Sequence, residues 1–306
     1  MSYPIQKSPL FGLSSIHLLA RALQLNVGRL RDIEPLVVLY REGITHRDGR
    51  DRRTETPTKT LRRIHNRIQV LLSRIETPDY LHSGKKKRSY ITNAAAHFGN
   101  AQLFEADISK FYQSATREQV YKCFCDIFGC CSDVAGILSR LLTYENHIPT
   151  GSPVSSLLSY FAYKPMFDEL LQLSSLRGLT MTLLQDDLTF SGPAVTEEFR
   201  AEVRRIIRNY QLVPKRSKQR FFHGGKPAKV TGIVVTNDGL VAPWSRHRKL
   251  RSALDEFDTA QTEADIRTAY QRVMGRLSEI ERVQGKLNNL KPRLRQEFQK
   301  RIAALQ

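Results

Sequence analysis

Two adjacent carboxylates, Asp186 and Asp187, lie in the middle of the apolar segment LLQDDLTF. Burying an unpaired carboxylate is costly or forces it to take up a proton, so a pair in a strand-like segment needs water or a cation to face. An exposed turn between two short strands meets the first need. A bound metal ion meets the second. The segment therefore predicts a β-hairpin whose tip is either solvated or holds a metal.

The charge of the chain restricts its partners. Its 306 residues include 48 Lys and Arg against 30 Asp and Glu, which gives a net charge of +18, and 41% of the residues are hydrophobic. Such a globular chain attracts polyanions such as nucleic acids. No apolar run approaches the roughly 18 residues that span a membrane, and the N-terminal segment lacks a signal-peptide core. We expect a cytoplasmic protein that has no membrane partner.

Four cysteines occur within YKCFCDIFGCC, at Cys123, Cys125, Cys130 and Cys131. The Cys-x-x-Cys spacing of most thiolate metal sites is missing, and aromatic and aliphatic residues lie between them. Reduced cysteines of the core are favoured over a metal site.

The rest of the pattern predicts elements around the carboxylate hairpin. LFEAD reads as a buried strand ending at Asp107, followed by helices over 117–128 and 134–142, a Gly/Pro loop and a long apolar helix. After the hairpin come a helix, the basic turn PKRSKQRFF, a strand over KVTGIVVTNDGLVAP, and a helical bundle in the last sixty or so residues. Asp107 and Asp186 are 79 residues apart (186 − 107). Adjacent strands of one antiparallel sheet would unite them in a two-metal site for phosphoryl transfer.

Five short motifs resemble those of bacterial retron reverse transcriptases, and three of them are palm signatures whose order and spacing also match. DISKFY begins at Asp107, IPTGSPVSS resembles the Pro-Gln-Gly loop, and LQDD resembles the Tyr-x-Asp-Asp hairpin. Asn93-Ala-Ala-Ala-His97 and Val230-Thr231-Gly232 resemble two blocks that separate retron enzymes from intron and viral relatives. The resemblance covers nearly the whole chain, from about residue 8.

The resemblance implies an α+β fold of the right-hand polymerase type, with fingers, a palm with an antiparallel sheet, and a helical thumb. It predicts N-terminal helices and fingers in 1–100, a palm with inserted fingers helices in 101–240, and the thumb in 241–306. It further implies an enzyme that copies part of a cognate structured non-coding RNA (msr-msd) into DNA from dNTPs. Synthesis would start at the 2′-OH of an internal guanosine and give branched RNA-DNA (msDNA), in antiphage defence with a separately encoded effector protein.

Roles for individual residues follow from the same resemblance. Mg²⁺ would be held by the catalytic carboxylates Asp107, Asp186 and Asp187. The nucleotide would be bound by Lys87, Arg88, Tyr112, Thr150, Gly151 and Lys218. The RNA would be bound by Asn93, His97, Val230, Thr231, Gly232, Arg246 and Arg248. Tyr112 would block a ribose 2′-OH, with core packing as its alternative. For Asn93 and His97, a helix cap and a satisfied buried histidine are the alternatives.

Two positions depart from the family pattern. Leu184 stands where the family usually has Tyr, and Thr150 where it usually has Gln. Neither position carries the metal, so these residues affect the placing of nucleotide and primer, and we expect an altered rate or fidelity. Two other functions stay open: an idle RNA-binding protein with the same fold, and a non-retron reverse transcriptase of the intron or another defence type.

Overall fold

The structure is a computed structural model that describes residues 2–47, 49–100, 102–215, 220–222, 227–287 and 289–305. Helices pack against antiparallel sheets, which confirms the α+β fold class. The chain has the palm sheet and the helical thumb that the right-hand polymerase fold predicts. The borders of the three predicted domains stay a prediction. Lys218 lies outside the described residues.

The N-terminal part consists of helices and one long hairpin. Its elements are α1 (Ile16–Leu23), α2 (Val27–Arg31), α3 (Glu34–Val37), β1 (Tyr40–Arg47), β2 (Arg50–Pro57), α4 (Lys59–Ser73) and α5 (Tyr90–Ala95). The side chain of Ser15 accepts from the main-chain N–H of Leu18 and so caps α1. Helix α4 buries Leu61, Ile64 and Ile68 at helical spacing, so its apolar face joins the main core.

The palm sheet brings together strands that are far apart in sequence. It contains β3 (Leu103–Asp107), β4 (Thr180–Leu184), β5 (Asp187–Ser191) and β6 (Arg220–Phe222), in the order β4–β5–β3–β6. All pairings within it are antiparallel. Phe104 on β3 stacks on Phe190 of β5, with ring centroids 6.1 Å apart. Apolar side chains of this kind hold β3 beside β5, so the two predicted carboxylate motifs occupy neighbouring strands.

Helices cover the palm sheet and differ from prediction in two places. They are α6 (Phe111–Ser114), α7 (Arg117–Lys122), α8 (Ser132–Leu141), α9 (Ser155–Ala162), α10 (Lys164–Leu176) and α11 (Glu197–Asn209). The predicted helix over 117–128 changes into a π-helical segment at Cys123–Ile127. The predicted long apolar helix is divided at Tyr163, because Pro165 in the first turn of α10 lacks the N–H that a continuous helix needs.

The predicted strand over KVTGIVVTNDGLVAP is wrong, since this segment forms three short antiparallel strands. They are β7 (Ala228–Val230), β8 (Ile233–Thr236) and β9 (Gly239–Val241). Thr231 and Gly232, at φ 45° and 85°, make the two-residue turn between β7 and β8. Positive φ at both central residues is the geometry that lets a tight hairpin match the twist of its strands.

The C-terminal helices form a cluster with its own core. They are α12 (Trp244–Thr259), α13 (Glu263–Gln284) and α14 (Leu290–Ala303). Leu250, Phe257, Val273 and Leu277 are buried among them, apart from the main core that surrounds the palm. The prediction of a helical bundle in this region is confirmed.

The four cysteines are free, and Cys123 and Cys130 are buried, as expected of core cysteines. Burial raises the pKa of the Cys130 thiol to about 11 and also raises that of Cys123. Within the described residues, no helix has both the length and the apolar character needed to cross a membrane.

Candidate active site and nucleic-acid interface

The predicted catalytic carboxylates meet at one end of the palm sheet. Asp107, the last residue of β3, pairs directly with Asp187, the first residue of β5. Leu184 pairs with Asp187 across the β4–β5 hairpin, so Gln185 and Asp186 form its two-residue turn. Gln185 has φ 60°, which a tight turn of this type requires at its first central residue. Directly paired residues of an antiparallel sheet point to the same face, so Asp107 and Asp187 share a face beside Asp186.

Asp107 is the most buried member of this group and has a cation beside it. It is 3% exposed, whereas Asp186 and Asp187 are half-buried. The Nζ atom of Lys215 lies 3.8 Å from its Oδ2 atom, and the main-chain N–H of Lys215 donates to its carbonyl oxygen at 2.8 Å. Lys215 belongs to the basic turn that the sequence singles out, but the resemblance selects Lys218. The positive charge beside Asp107 is therefore a feature that the sequence reading missed.

The carboxylates have the donor chemistry that Mg²⁺ requires. Hard oxygen ligands suit this ion, which usually takes only one or two carboxylates and completes its shell with water and substrate phosphates. In the part of the chain that the structure describes, no group of three or more His, Cys, Asp or Glu side chains is arranged as a complete metal site. A metal site that is completed by substrate phosphates agrees with the carboxylate donors and with the lack of a complete site among the described residues. Binding of Mg²⁺ by Asp107, Asp186 and Asp187 stays a prediction.

Tyr112 lies next to the hairpin tip. It follows Lys110, whose φ of 49° turns the chain sharply between β3 and α6. Burial and, to a smaller extent, the Asp186 carboxylate raise the pKa of Tyr112, while the Ser156 hydroxyl opposes this shift. The ring also contacts Phe111 at a centroid distance of 5.9 Å. Tyr112 is therefore a half-buried aromatic residue close to a predicted catalytic carboxylate, and its role at the substrate sugar stays a prediction.

The basic loop at 85–88 starts beside the same hairpin tip. Leu81 forms a parallel bridge to Leu183, and the Ser83 hydroxyl accepts from the main-chain N–H of Gln185 at 3.1 Å. Lys87 and Arg88, the predicted triphosphate contacts, are exposed a few residues further along. Arg88 pairs with the Asp79 carboxylate at 2.6 Å, and this partner is almost fully exposed. Surface ion pairs of this kind are weak, so a phosphate can displace Asp79.

The loop that carries Thr150 and Gly151 is attached to the β1–β2 hairpin by Glu55. Glu55 is 1% exposed, and its Oε2 atom accepts from the Thr150 main-chain N–H at 3.0 Å. The Thr150 hydroxyl lies 3.0 Å from the same oxygen and 3.0 Å from the carbonyl of Arg53. A Cβ atom on Gly151 would meet the Thr56 Oγ1 atom at 2.4 Å. Only glycine permits this approach, and the hydroxyl of Thr150 faces protein atoms in this structure.

A buried histidine holds the other side of this loop. The Nε2–H group of His65 donates to the Leu141 carbonyl at 2.8 Å, so its Nδ1 atom accepts from the Ser152 hydroxyl at 2.6 Å. Burial lowers the pKa of His65 to about 4. Glu55 and His65 are thus two positioning residues that the sequence reading missed. Each contacts a loop about 90 residues away, so neither has a local sequence signal.

His97 and Asn93 of the Asn-Ala-x-x-His block are both completely buried. The Nδ1 atom of His97 hydrogen-bonds to the Ser191 hydroxyl and its Nε2 atom to the Thr182 hydroxyl, each at 2.7 Å. The cap of α5 is Ser89, so Asn93 is not a helix cap. Among the described residues, neither polar side-chain atom of Asn93 has a hydrogen-bond partner. His97 therefore joins α5 to strands β4 and β5 and does not present its ring to a ligand.

The Val-Thr-Gly turn joins α5 to the thumb. The Thr231 hydroxyl donates to the Tyr90 carbonyl at 3.0 Å, and the Arg246 guanidinium lies 5.2 Å from the centre of the Tyr90 ring. Arg246 also pairs with Glu279 at 3.2 Å, so its charge is partly used inside the protein. Val230 is fully buried, whereas Arg248 is exposed. Binding of RNA by these residues stays a prediction. Val230 and His97 can contribute to RNA binding only by holding neighbouring residues in place.

Comparisons with known proteins agree with the motifs. No family model matches the chain. Five curated retron reverse transcriptases are 23–28% identical to it. The Retron Ec48 reverse transcriptase of Escherichia coli is 23% identical over 89% of this chain and 72% of its own length. The Retron Ec86 reverse transcriptase of the same species is 23% identical over 90% of this chain and 83% of its own length.

Among solved structures, the chain is similar to one of telomerase from Candida albicans in complex with a TWJ fragment of telomeric RNA, with a TM-score of 0.49 and 10% identity. That similarity covers 86% of this chain and 59% of the telomerase chain. The curated relatives match far more of the sequence than the short motifs do. The resemblance of this chain to bacterial retron reverse transcriptases is therefore confirmed over most of its length.

Proposed function

We propose that this chain is an RNA-directed DNA polymerase of the retron type. It copies part of a cognate structured non-coding RNA into DNA and begins at the 2′-OH of an internal guanosine, so that the product is branched RNA-DNA. The observation that carries the proposal is the pairing of Asp107 with Asp187 beside the hairpin turn that contains Asp186. The similarity to curated retron reverse transcriptases supports a structured RNA as the template and a guanosine 2′-OH as the priming group.

The carboxylates at the hairpin supply the chemistry of nucleotidyl transfer. Asp107, Asp186 and Asp187 would hold Mg²⁺, which when bound lowers the pKa of an attacking hydroxyl and neutralises charge on the leaving pyrophosphate. Lys215, 3.8 Å from the Asp107 carboxylate, offsets negative charge there before substrate arrives.

Residues around the carboxylates would position the nucleotide. Lys87 and Arg88 bind the triphosphate of the incoming dNTP, for which the planar fork of arginine is well suited. Tyr112 excludes a ribose 2′-OH at the position beside Asp186. The Thr150–Gly151 loop, anchored by Glu55, supports the nucleotide through its backbone.

Initiation on the RNA would depend on α5 and the Val-Thr-Gly turn. His97 sets the position of α5 against the palm, and Thr231 connects the turn to the first residue of that helix. Exposed cations of the thumb, such as Arg248, bind phosphates of the RNA. The family further suggests that the branched product serves antiphage defence together with an effector protein encoded separately.

The test compares two reactions in one set of variants. Thr231→Ala removes the hydrogen bond to the Tyr90 carbonyl and leaves the carboxylates unchanged. We expect self-primed synthesis on the cognate RNA to fall roughly 100-fold, because in-line placement of one hydroxyl depends on orientation at the Å scale. Extension of a supplied primer should stay within a few fold of the unmodified protein.

Thr236→Ala is the matched control, since Thr236 belongs to the same small sheet and its hydroxyl also donates to a main-chain carbonyl, that of Gly239 at 3.0 Å. It should leave both reactions unchanged. A linear product, with no 2′ branch when the RNA encoded next to this gene is supplied, would favour the non-retron reverse transcriptase.

An idle RNA-binding protein is the second candidate. The observation that favours it is the contact of the Thr150 hydroxyl with Glu55 and Arg53, which leaves this side chain facing protein where the family usually has a glutamine for the nucleotide. The presence of all three carboxylates argues against it. A protein that binds RNA but does not extend any primer would establish this second candidate.

A further inference from the structure

The first residue of the thumb helix α12 is a tryptophan that the protein leaves in solvent. Trp244 is the single tryptophan of the chain and is 79% exposed. Tryptophan is highly buried on average, because its large apolar ring gains much from leaving water. An indole held in water at a defined position offers a flat apolar surface that a ligand can cover.

The neighbours of Trp244 on the helix define a face. Residues at positions i, i+3, i+4 and i+7 of a helix lie on one side, so Trp244 shares its side with His247, Arg248 and Arg251. The His247 ring lies nearly parallel to the indole, with centroids 6.3 Å apart and an angle of 26°. The opposite side of α12 packs into the thumb core through Leu250 and Phe257. We call the exposed face, formed by these four residues, the Trp244 face.

The charge around the Trp244 face is strongly positive. The segment WSRHRKLR, residues 244–251, contains four Arg or Lys residues and no Asp or Glu. Arg248, Lys249 and Arg251 are exposed. A partner that covers the indole must therefore carry negative charge next to a flat apolar surface. Nucleotides combine an aromatic base with a phosphate, and stacking of bases on aromatic side chains beside cations is a general mode of binding single strands.

The start of α12 is also fixed in place. Arg246 pairs with Glu279 on α13 at 3.2 Å and lies over the Tyr90 ring of α5 at 5.2 Å. The Trp244 face is therefore held near the turn that contains Thr231 and Gly232, which the proposed function assigns to the RNA. A rigid aromatic surface loses little conformational entropy on binding.

We propose that Trp244 is a stacking site for an unpaired nucleobase, with Arg248 and Arg251 contacting the phosphates of the same strand. This site rests on the proposed function for its ligand class, and it deepens that function by adding a contact to bases, where the other thumb cations contact phosphates. RNA and DNA share the required chemistry, and the test distinguishes them.

Trp244 can be tested by its own fluorescence, because the chain has no other tryptophan. The full-length protein is titrated with a single-stranded oligoribonucleotide, with DNA of the same sequence, and with inorganic polyphosphate as a polyanion that lacks bases. We expect saturable quenching of the indole emission by one or both oligonucleotides and none by polyphosphate. The oligonucleotide that quenches at the lower concentration identifies the strand.

Affinity measured by fluorescence anisotropy of a labelled oligonucleotide supplies the second readout. Trp244→Ala should weaken binding roughly ten-fold, and Trp244→Phe should restore most of the affinity because it retains an aromatic face. Leu176→Ala is the matched control, since Leu176 is also 79% exposed and lies on α10, so affinity should not change.

Binding without quenching, equal quenching by polyphosphate, or an unchanged affinity of Trp244→Ala would overturn the stacking site and leave Trp244 for a protein partner. Primer extension by the unmodified protein is measured in parallel. If the protein extends a primer while the indole stays unquenched, the stacking site alone fails. If it neither extends a primer nor binds an oligonucleotide, the proposed function itself fails.

Discussion

At the scale of single residues, the chemistry depends on what surrounds each carboxylate. Asp107 is nearly buried and lies beside Lys215, whereas Asp186 is in a turn with Tyr112 as neighbour. The two carboxylates therefore differ in burial and in the side chains beside them. Tyr112 is half-buried beside Asp186, and we predict that its ring limits the space for the sugar of a bound nucleotide.

Replacing Tyr112 tests this role. Tyr112→Ala should increase the incorporation of ribonucleotides relative to deoxyribonucleotides by about ten-fold or more, since removing the ring opens room for a 2′-OH. Tyr112→Phe keeps the ring and should retain the original preference. The measurement is the ratio of kcat/KM for the two nucleotides in primer extension. If Tyr112→Ala loses stability while this ratio stays the same, Tyr112 is a core residue.

At the scale of elements, the β1–β2 hairpin and the loop around Thr150 act as one unit. Glu55 accepts from the main chain and the side chain of Thr150, and the Gly151 N–H donates to the Glu55 carbonyl at 3.1 Å. A buried carboxylate that satisfies main-chain donors is costly to remove, because each unpaired donor loses about 1–3 kcal/mol. The hairpin therefore fixes the position of this loop.

Gly151→Ala tests whether this contact matters for nucleotide binding. The added Cβ atom would meet the Thr56 hydroxyl at 2.4 Å and the Glu55 carbonyl at 2.8 Å, so the loop has to separate from the hairpin. We expect KM for dNTP to rise roughly ten-fold with a smaller change in kcat, because positioning is lost while the carboxylates remain. Gly136→Ala is the control, since open space surrounds that glycine. Equal kinetics for both variants would contradict a positioning role.

The elements that follow from local patterns are the ones that the sequence predicts well. The strand ending at Asp107, the carboxylate hairpin and the C-terminal helical bundle are all present, because the spacing of apolar residues in a strand or helix indicates which face is buried. The three short strands after residue 227 were predicted as one, although Gly232 and Gly239 both have positive φ. The attachment of Thr150 to Glu55 spans 95 residues of chain, so no local pattern predicts it. Lys215 was missed because the choice among the cations of one basic turn needs tertiary contacts.

At the scale of the whole molecule, buried histidines connect the elements. His65 holds the loop of Ser152, and His97 joins α5 to the palm sheet. Burial lowers the pKa of His65 to about 4, and burial together with nearby His82 lowers that of His97 to about 3. Burial also lowers the pKa of His82 to about 4. In the unfolded chain, histidine has a pKa of about 6.5.

These pKa values predict how stability depends on pH. As the pH falls below about 6.5, the unfolded chain binds protons on these histidines while the folded protein does not, so the free energy of unfolding decreases. Each histidine contributes up to about 1.4 kcal/mol per pH unit until the pH reaches its folded pKa. Urea unfolding between pH 7 and pH 5 measures the slope. His97→Gln should give a smaller slope than the unmodified protein, and an equal slope would show that His97 is protonated in the folded state.

We propose that three carboxylates at the palm hairpin make this chain an RNA-directed DNA polymerase. The most direct measurement is the extension of a DNA primer on an RNA template with dNTPs and Mg²⁺, using the unmodified protein, Asp186→Asn and the exposed control Asp238→Asn. Asp186→Asn should lose at least about 1000-fold in rate, because the substitution removes a negative charge that would hold the metal. Its affinity for RNA should stay nearly the same, because the basic surfaces are unchanged. Asp238→Asn should extend the primer normally. Extension by Asp186→Asn within a few fold of the unmodified protein would contradict the assignment of Asp186 to the metal site.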